Sequence, residues 1–83
     1  MDSIVLYSQP GCSSCVVAKQ FLADRGIAFK EKDVRSDPEF LRELIEDLES
    51  RTTPTLVIGD QVVIGFDPDK FQAALNAGGH VAK

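Results

Sequence analysis

Cys12 and Cys15 are the only cysteines of this 83-residue chain, and two serines, Ser13 and Ser14, separate them. A structural disulfide stabilises chiefly by closing a long loop in the unfolded chain. A bridge over two intervening residues closes almost nothing. A closed zinc site takes four ligands, and the single histidine, His80, lies far along the chain in a glycine-rich tail. Two readings remain: a thiol pair kept for its reactivity, or two cysteines that pack as small apolar side chains. In the first reading, a thiolate attacks a disulfide sulfur and a second thiol resolves the mixed disulfide.

The surrounding pattern assigns the two thiols different environments. The apolar run Ile4-Val5-Leu6-Tyr7 ends at Pro10-Gly11, as a buried strand followed by a turn does. From residue 12 to 25 the spacing predicts a helix, with Cys15, Ala18 and Leu22 on one face, Phe21 beside them, and Gly26 as its stop. Cys12 then stands at the helix start, where unpaired N–H groups and the helix dipole favour a thiolate and lower its pKa below about 8.5. Ser13 and Ser14 either add hydroxyl donors there or simply solvate that end. Cys15 falls one turn deeper, as a resolving thiol should.

The rest of the chain supplies the other layers. Residues 27–34 contain Phe29 and the charged stretch Lys30-Glu31-Lys32-Asp33, which suits an edge strand. Ser36 and Glu39 have capping-box spacing, with Pro38 in the first turn. The helix that follows carries an apolar stripe of Phe40, Leu41, Leu44, Ile45 and Leu48. Arg42, Glu43, Glu46, Asp47 and Glu49 stand opposite, as a solvated face or a partner surface. Two β-branched runs, residues 55–58 and 61–64, flank Gly59-Asp60, a two-residue hairpin signal. Asp67-Pro68 opens a last helix with Phe71, Ala74 and Leu75 facing inward, and Gly78-Gly79 closes it. Residues 1–79 form one domain in this reading, and 80–83 a flexible tail.

Composition narrows the partners. Nine Lys+Arg against thirteen Asp+Glu give a net charge of −4, which argues against nucleic acid. No apolar run reaches the roughly 18 residues of a membrane span. The start, Met1-Asp2-Ser3, has neither the basic region nor the apolar stretch of a secretory signal, so a cytoplasmic location is expected. The element order β-α-β-α-β-β-α predicts an α/β, thioredoxin-like fold: a four-stranded mixed sheet with helices on both faces. A Cys-x-x-Cys opening the helix of such a unit is a thioredoxin-like redox motif.

With these residues in place, the chain resembles the glutaredoxin family over essentially its whole length. The matching segments are Ile4-Val5-Leu6-Tyr7, Cys12-Ser13-Ser14-Cys15 with Ala18-Lys19, Arg51-Thr52-Thr53-Pro54, and Gly65 before the last helix. The resemblance implies thiol–disulfide exchange on protein or small-molecule disulfides by Cys12 and Cys15, with no bound metal or organic cofactor. It further implies that Pro54 is a cis residue facing the thiols, with the Thr53 backbone pairing to an extended substrate. Gln9, Arg51, Gly65, Phe66 and Asp67 are the remaining candidate substrate contacts. Phe66 is either groove wall or core, and Asp67 and Asp69 either bind a substrate amine or cap the helix.

Three departures bear on the electron source. Ser13 and Ser14 replace the family's common Pro-Tyr, Gln9 replaces a Lys that binds a glutathione carboxylate, and Phe66 replaces the second of two glycines. Gly65-Phe66-Asp67-Pro68-Asp69 looks instead like the Gly-Phe-Arg-Pro-Asp of NrdH-type redoxins, although Asp67 replaces the Arg and the preceding Trp is absent. That likeness implies a monomeric dithiol carrier reduced by thioredoxin reductase and NADPH, serving protein disulfides such as that of ribonucleotide reductase. The alternatives are a glutaredoxin reduced by glutathione and a redox-sensing or iron–sulfur-bridging protein. The first half also resembles Spx and arsenate-reductase-like proteins, which are longer and differ in their second half.

Overall fold

The computed structural model describes residues 4–77, so the expected stop at Gly78-Gly79 and the tail at 80–83 lie outside the described residues. In chain order the elements are β1 (Ile4–Ser8), α1 (Ser13–Asp24), β2 (Lys30–Asp33), α2 (Pro38–Arg42) running directly into a π-helical segment (Glu43–Asp47), β3 (Thr55–Ile58), β4 (Gln61–Ile64) and α3 (Pro68–Ala77). The sheet order is β2-β1-β3-β4. β1 pairs parallel with β2 and antiparallel with β3, and β3 pairs antiparallel with β4. This is the expected mixed sheet of a thioredoxin-like fold.

Alternation along β1 divides the interior into two layers, because successive side chains of a strand point to opposite faces. Ile4 and Leu6 join Leu56, Ile58 and Val63 against Ala18 and Leu22 of α1 and Phe71, Ala74 and Leu75 of α3. Leu6, Leu22, Leu56, Phe71 and Leu75 lose essentially all contact with solvent. Each contributes roughly 1.5–3 kcal/mol by burial. On the opposite face Tyr7, Val34 and Leu44 form a smaller cluster, with Val5, Phe40, Leu48 and Val57 packed around it.

Four local expectations change. The second strand is shorter than residues 27–34, and Ile27 and Phe29 instead pack beside the α1 layer as part of the connection. The cap of α2 is Asp37 and not Ser36: Asp37 Oδ1 accepts from the Glu39 N–H at 2.9 Å, while the Ser36 hydroxyl donates to the Asp33 carbonyl. The second helix is not uniformly α-helical. Leu48 N–H bonds back to Glu43 at 3.1 Å, and the widened turn leaves Leu41 and Ile45 exposed. Glu43 leaves the acidic outer face to accept from Tyr7 Oη at 2.8 Å and from Lys32 Nζ at 2.9 Å. β2 is an edge strand as its charges imply, and the Gly59-Asp60 turn joins the paired residues Ile58 and Gln61 with Gly59 at φ +57°.

Candidate active site

Cys12 is the N-cap of α1: its backbone is extended (φ −99°, ψ 105°), and its Sγ accepts from the Cys15 N–H at 3.2 Å. The turn before it contains Gly11 and lets the chain leave β1 and enter the helix with the Cys12 sulfur over the unpaired amide groups. Cys15 begins the buried stripe that continues through Ala18 and Leu22 and is only 1% exposed. Both cysteines are free thiols, so this is the reduced dithiol form.

The third wall comes from the loop before β3. The Thr53–Pro54 peptide is cis, as the resemblance implies. Thr53 Oγ1 donates to Cys12 Sγ at 3.6 Å, and the Cys12 thiol reaches the Thr53 carbonyl at 3.7 Å. Beneath the loop lies a hydroxyl network with Ser50 and Thr55 almost fully buried. Ser50 Oγ and Thr55 Oγ1 are 2.9 Å apart, and Thr55 Oγ1 donates to the Thr52 carbonyl at 2.8 Å. Neither the network nor the Thr53 hydroxyl was anticipated. The available signal was the hydroxyl-rich stretch from Ser50 to Thr55 around a single proline.

These contacts separate the thiols electrostatically. Burial works against the Cys12 thiolate, but hydrogen bonds from the Cys15 and Thr53 side chains and from the Cys15 and Ser14 amides outweigh it and lower its pKa. Burial pushes the Cys15 thiol up, and the Cys12 side chain adds to that, while Thr53 and the Gln9 backbone pull the other way. One thiol is therefore partly exposed and more acidic than an ordinary cysteine, the other buried and less acidic. That pairing suits sequential attack.

The remaining candidates fall at different depths. Gly65 N–H donates to the Pro54 carbonyl at 2.8 Å, which ties the segment after β4 to the cis-proline loop. Gly65 has φ +79°, a conformation that suits glycine. Phe66 is partly buried against the core, its ring edge-on to Phe21 and Phe71 at 5.7 and 5.1 Å, and it also borders a surface trough along α1. Asp67 caps α3, accepting from the Asp69 and Lys70 N–H groups at 3.1 and 3.3 Å. Arg51 is exposed in the loop leading to Pro54. Gln9 meets the Cys15 thiol through its backbone. Among the described residues no group of three or more His, Cys, Asp or Glu is placed to hold a metal ion, and no helix is long and apolar enough to cross a membrane.

Comparison with known proteins matches residues 4–63 to the family described as Glutaredoxin. The chain belongs to the glutaredoxin family. Among glutaredoxins it is 36% identical to the glutaredoxin of Pseudomonas aeruginosa over 67 residues, covering 81% of this chain and 80% of that one. It is 41% identical to the thioredoxin-like protein BC3987, with a TM-score of 0.85 over 88% of this chain and 100% of the other. It is 30% identical to the glutaredoxin-like NrdH-redoxin of Escherichia coli, with a TM-score of 0.72 over 81% and 87% of the two chains. Glutaredoxins are thiol–disulfide oxidoreductases working with an external reductant, and this chain is such an oxidoreductase with a Cys12/Cys15 pair.

Proposed function

We propose that this glutaredoxin is a small dithiol electron carrier that reduces protein disulfides, with Cys12 as nucleophile and Cys15 as resolving thiol. The observation that carries the reading is the asymmetry of the pair: a partly exposed Cys12 held toward the thiolate, and a Cys15 only 1% exposed and held toward the thiol. The Cys12 thiolate attacks one substrate sulfur, forming a mixed disulfide and releasing the other sulfur as a thiolate that takes a proton from water. Cys15 then gives its proton to water, and the thiolate so formed attacks Cys12 Sγ. The second substrate thiolate leaves, and the carrier ends as the Cys12–Cys15 disulfide, having delivered two electrons. Thr53 and Pro54 border the bond being exchanged.

Thioredoxin reductase with NADPH, and not glutathione, is the proposed source of those electrons. Glutathione carries two carboxylates, whose binding calls for cations or free N–H groups. Here Gln9 is neutral, Phe66 stands where the family's second glycine would let the peptide approach, and Asp67 already accepts two helix amides. The NrdH-redoxin of Escherichia coli, a glutaredoxin-like protein, has a thioredoxin-like activity profile, which supports the same direction here. A ribonucleotide reductase disulfide is a candidate substrate on the same ground, and a monomer working in the cytoplasm fits the role.

Two experiments test the reading. Cys12→Ser is expected to abolish disulfide reduction, whereas Cys15→Ser traps a mixed disulfide on Cys12; trapping on Cys15 in the Cys12→Ser protein would reverse the assignment. In NADPH-coupled assays of the oxidised protein, thioredoxin reductase is expected to outpace millimolar glutathione with its reductase. Rapid glutathione turnover with none by thioredoxin reductase defeats the electron-source proposal and leaves the thiol roles standing.

A further inference from the structure

The Thr53 side chain bears on both thiols. Its Oγ1 donates to Cys12 Sγ at 3.6 Å, and its hydrogen bond to Cys15 favours that thiolate as well. A threonine hydroxyl carries a single O–H, so it serves one sulfur at a time. Thr53 is only 9% exposed, and the chain on either side of it is tied down. The Pro54 carbonyl accepts from the Gly65 N–H at 2.8 Å, and Thr55 Oγ1 bonds Ser50 and the Thr52 carbonyl. The hydroxyl is thus held in place, and only its hydrogen has to turn.

The two thiols depend on that hydroxyl to different degrees. Cys12, at the start of α1, also has the Cys15 and Ser14 amides as donors. The Cys15 N–H is committed to Cys12 Sγ at 3.2 Å. Cys15 itself is 1% exposed, so little water solvates its thiolate once the proton has gone. The donors that favour that thiolate are the Thr53 side chain and the Gln9 backbone. Charged side chains on the surrounding elements are engaged elsewhere or face solvent. Lys19 of α1 pairs with Glu31 of β2 at 3.1 Å, Asp67 caps α3, and Arg51 of the loop is exposed.

We propose that the Thr53 hydroxyl is a catalytic donor passed from one thiol to the other, bonding the Cys12 thiolate during attack and the Cys15 thiolate during resolution. The proposal rests on Cys12 being the attacking thiol and Cys15 the resolving one. Once Cys12 is joined to a substrate sulfur, its own sulfur is neutral and a weak acceptor. The hydroxyl is released at the step in which Cys15 has to ionise. Cys15 gives its proton to water, and its thiolate, held by Thr53, attacks Cys12 Sγ. The bond from Cys12 to the substrate breaks, and the substrate leaves as a thiolate that takes a proton from water. Thr53 ends the cycle chemically unchanged. Because Cys12 keeps two amides when the hydroxyl is lost and Cys15 keeps only the Gln9 backbone, resolution suffers more than attack.

The test separates the two steps in the full-length protein. Cys12 is capped as its S-methyl mixed disulfide in acid, where Cys15 is protonated, and the sample is then jumped to a series of higher pH values. Release of methanethiol reports resolution, and alkylation of the uncapped protein reports the Cys12 thiolate. In Thr53→Val the midpoint of the release profile is expected to move upward. Below that midpoint release should slow by roughly tenfold, the low end for a hydrogen bond to a charged group, and by more than alkylation slows. Thr53→Ser is expected to restore the wild-type profile, and Thr53→Ala supplies the same readout if the valine variant folds poorly. A wild-type release profile in the valine and alanine variants, or a shift that serine does not restore, overturns the proposal and leaves the thiol assignment intact. Release from Cys15→Ser as fast as from the wild type removes the assignment on which the proposal stands.

Discussion

The two faces of the sheet are held by different means. Beneath α1 and α3 the layer is apolar, running from Ile4 and Leu6 through Leu22 to Phe71 and Leu75. Beneath α2 and the π-helical segment the cluster is small, and polar bonds reinforce it: Tyr7 Oη and Lys32 Nζ converge on Glu43, and Lys32 lies near the rings of Tyr7 and Phe40. The helix bearing the thiols stands on the first layer. The loop bearing Thr53 and Pro54 hangs from hydroxyl bonds of Ser50 and Thr55. Apolar burial is non-directional and strong, so it fixes where α1 sits. Hydrogen bonds are individually weaker but directional, so they fix how the loop meets Cys12.

The largest effect expected from this contrast is in the apolar layer. Phe71→Ala removes a fully buried ring that touches Phe21 and Phe66. It should cost about 3–5 kcal/mol. That is a large part of the roughly 4–12 kcal/mol expected for a chain of this length. Urea titration measures it. A cost below about 1 kcal/mol would mean that the layer beneath α1 is not the main support of the fold.

A smaller but more local loss is expected beneath the loop. Thr55→Val keeps the shape of a fully buried side chain and deletes the hydroxyl shared with Ser50 and Thr52. Ser50 Oγ still reaches the Thr52 carbonyl at 3.2 Å, so the loss should be that of a typical hydrogen bond, about 0.5–1.5 kcal/mol. If the loop hangs from this network, the variant also slows disulfide reduction by more than its small unfolded fraction explains. Unchanged kinetics with lowered stability would assign the network to the fold alone.

The same contrast explains what was legible in the sequence. Apolar periodicity reports directly on burial, so β1, α1, the β3–β4 hairpin and the inward residues of α3 could be read from spacing. The cysteine pair was legible because its spacing leaves few structural uses. Polar bonds between distant residues leave no periodic trace. Glu43 therefore read as one more acid on a solvated helix face, although it bonds Tyr7, 36 residues away in sequence. Ser36 read as a cap because it stands at capping-box spacing, but the neighbouring Asp37 carboxylate took the position. The Thr53 hydroxyl at Cys12 depends on a contact across 41 residues, which no local pattern encodes.

Glu43→Gln sharpens the comparison from the polar side. The bond from Lys32, then that from Tyr7, hold the Glu43 carboxyl below its ordinary 4.5. A carboxyl lowered in the folded state stabilises above its unfolded pKa, and that stabilisation is lost as pH falls through the lower folded value. The variant should therefore be less stable than the wild type at pH 7, by about 0.5–1 kcal/mol for a partly exposed pair. The two proteins should converge only once pH falls below the lowered folded value of this carboxyl. A constant difference across that range would show that the ionised form of Glu43 contributes nothing to the second layer.

The smallest effect is expected at the thiol itself, where stability and chemistry separate. Thr53→Val removes a donor 3.6 Å from Cys12 Sγ while keeping the side chain's bulk. The Cys15 and Ser14 amides remain, so the thiolate keeps part of its support. The alkylation midpoint of Cys12 should move upward, and reduction near neutral pH should slow by roughly two- to tenfold, the scale of one hydrogen bond. Thr53→Ser restores the hydroxyl and should restore the midpoint. Global stability should change less than in Thr55→Val, because the Thr53 hydroxyl lies at the site and not beneath the loop. If the valine variant keeps the wild-type midpoint, the helix start alone holds the Cys12 thiolate, and the loop contributes only its backbone and shape.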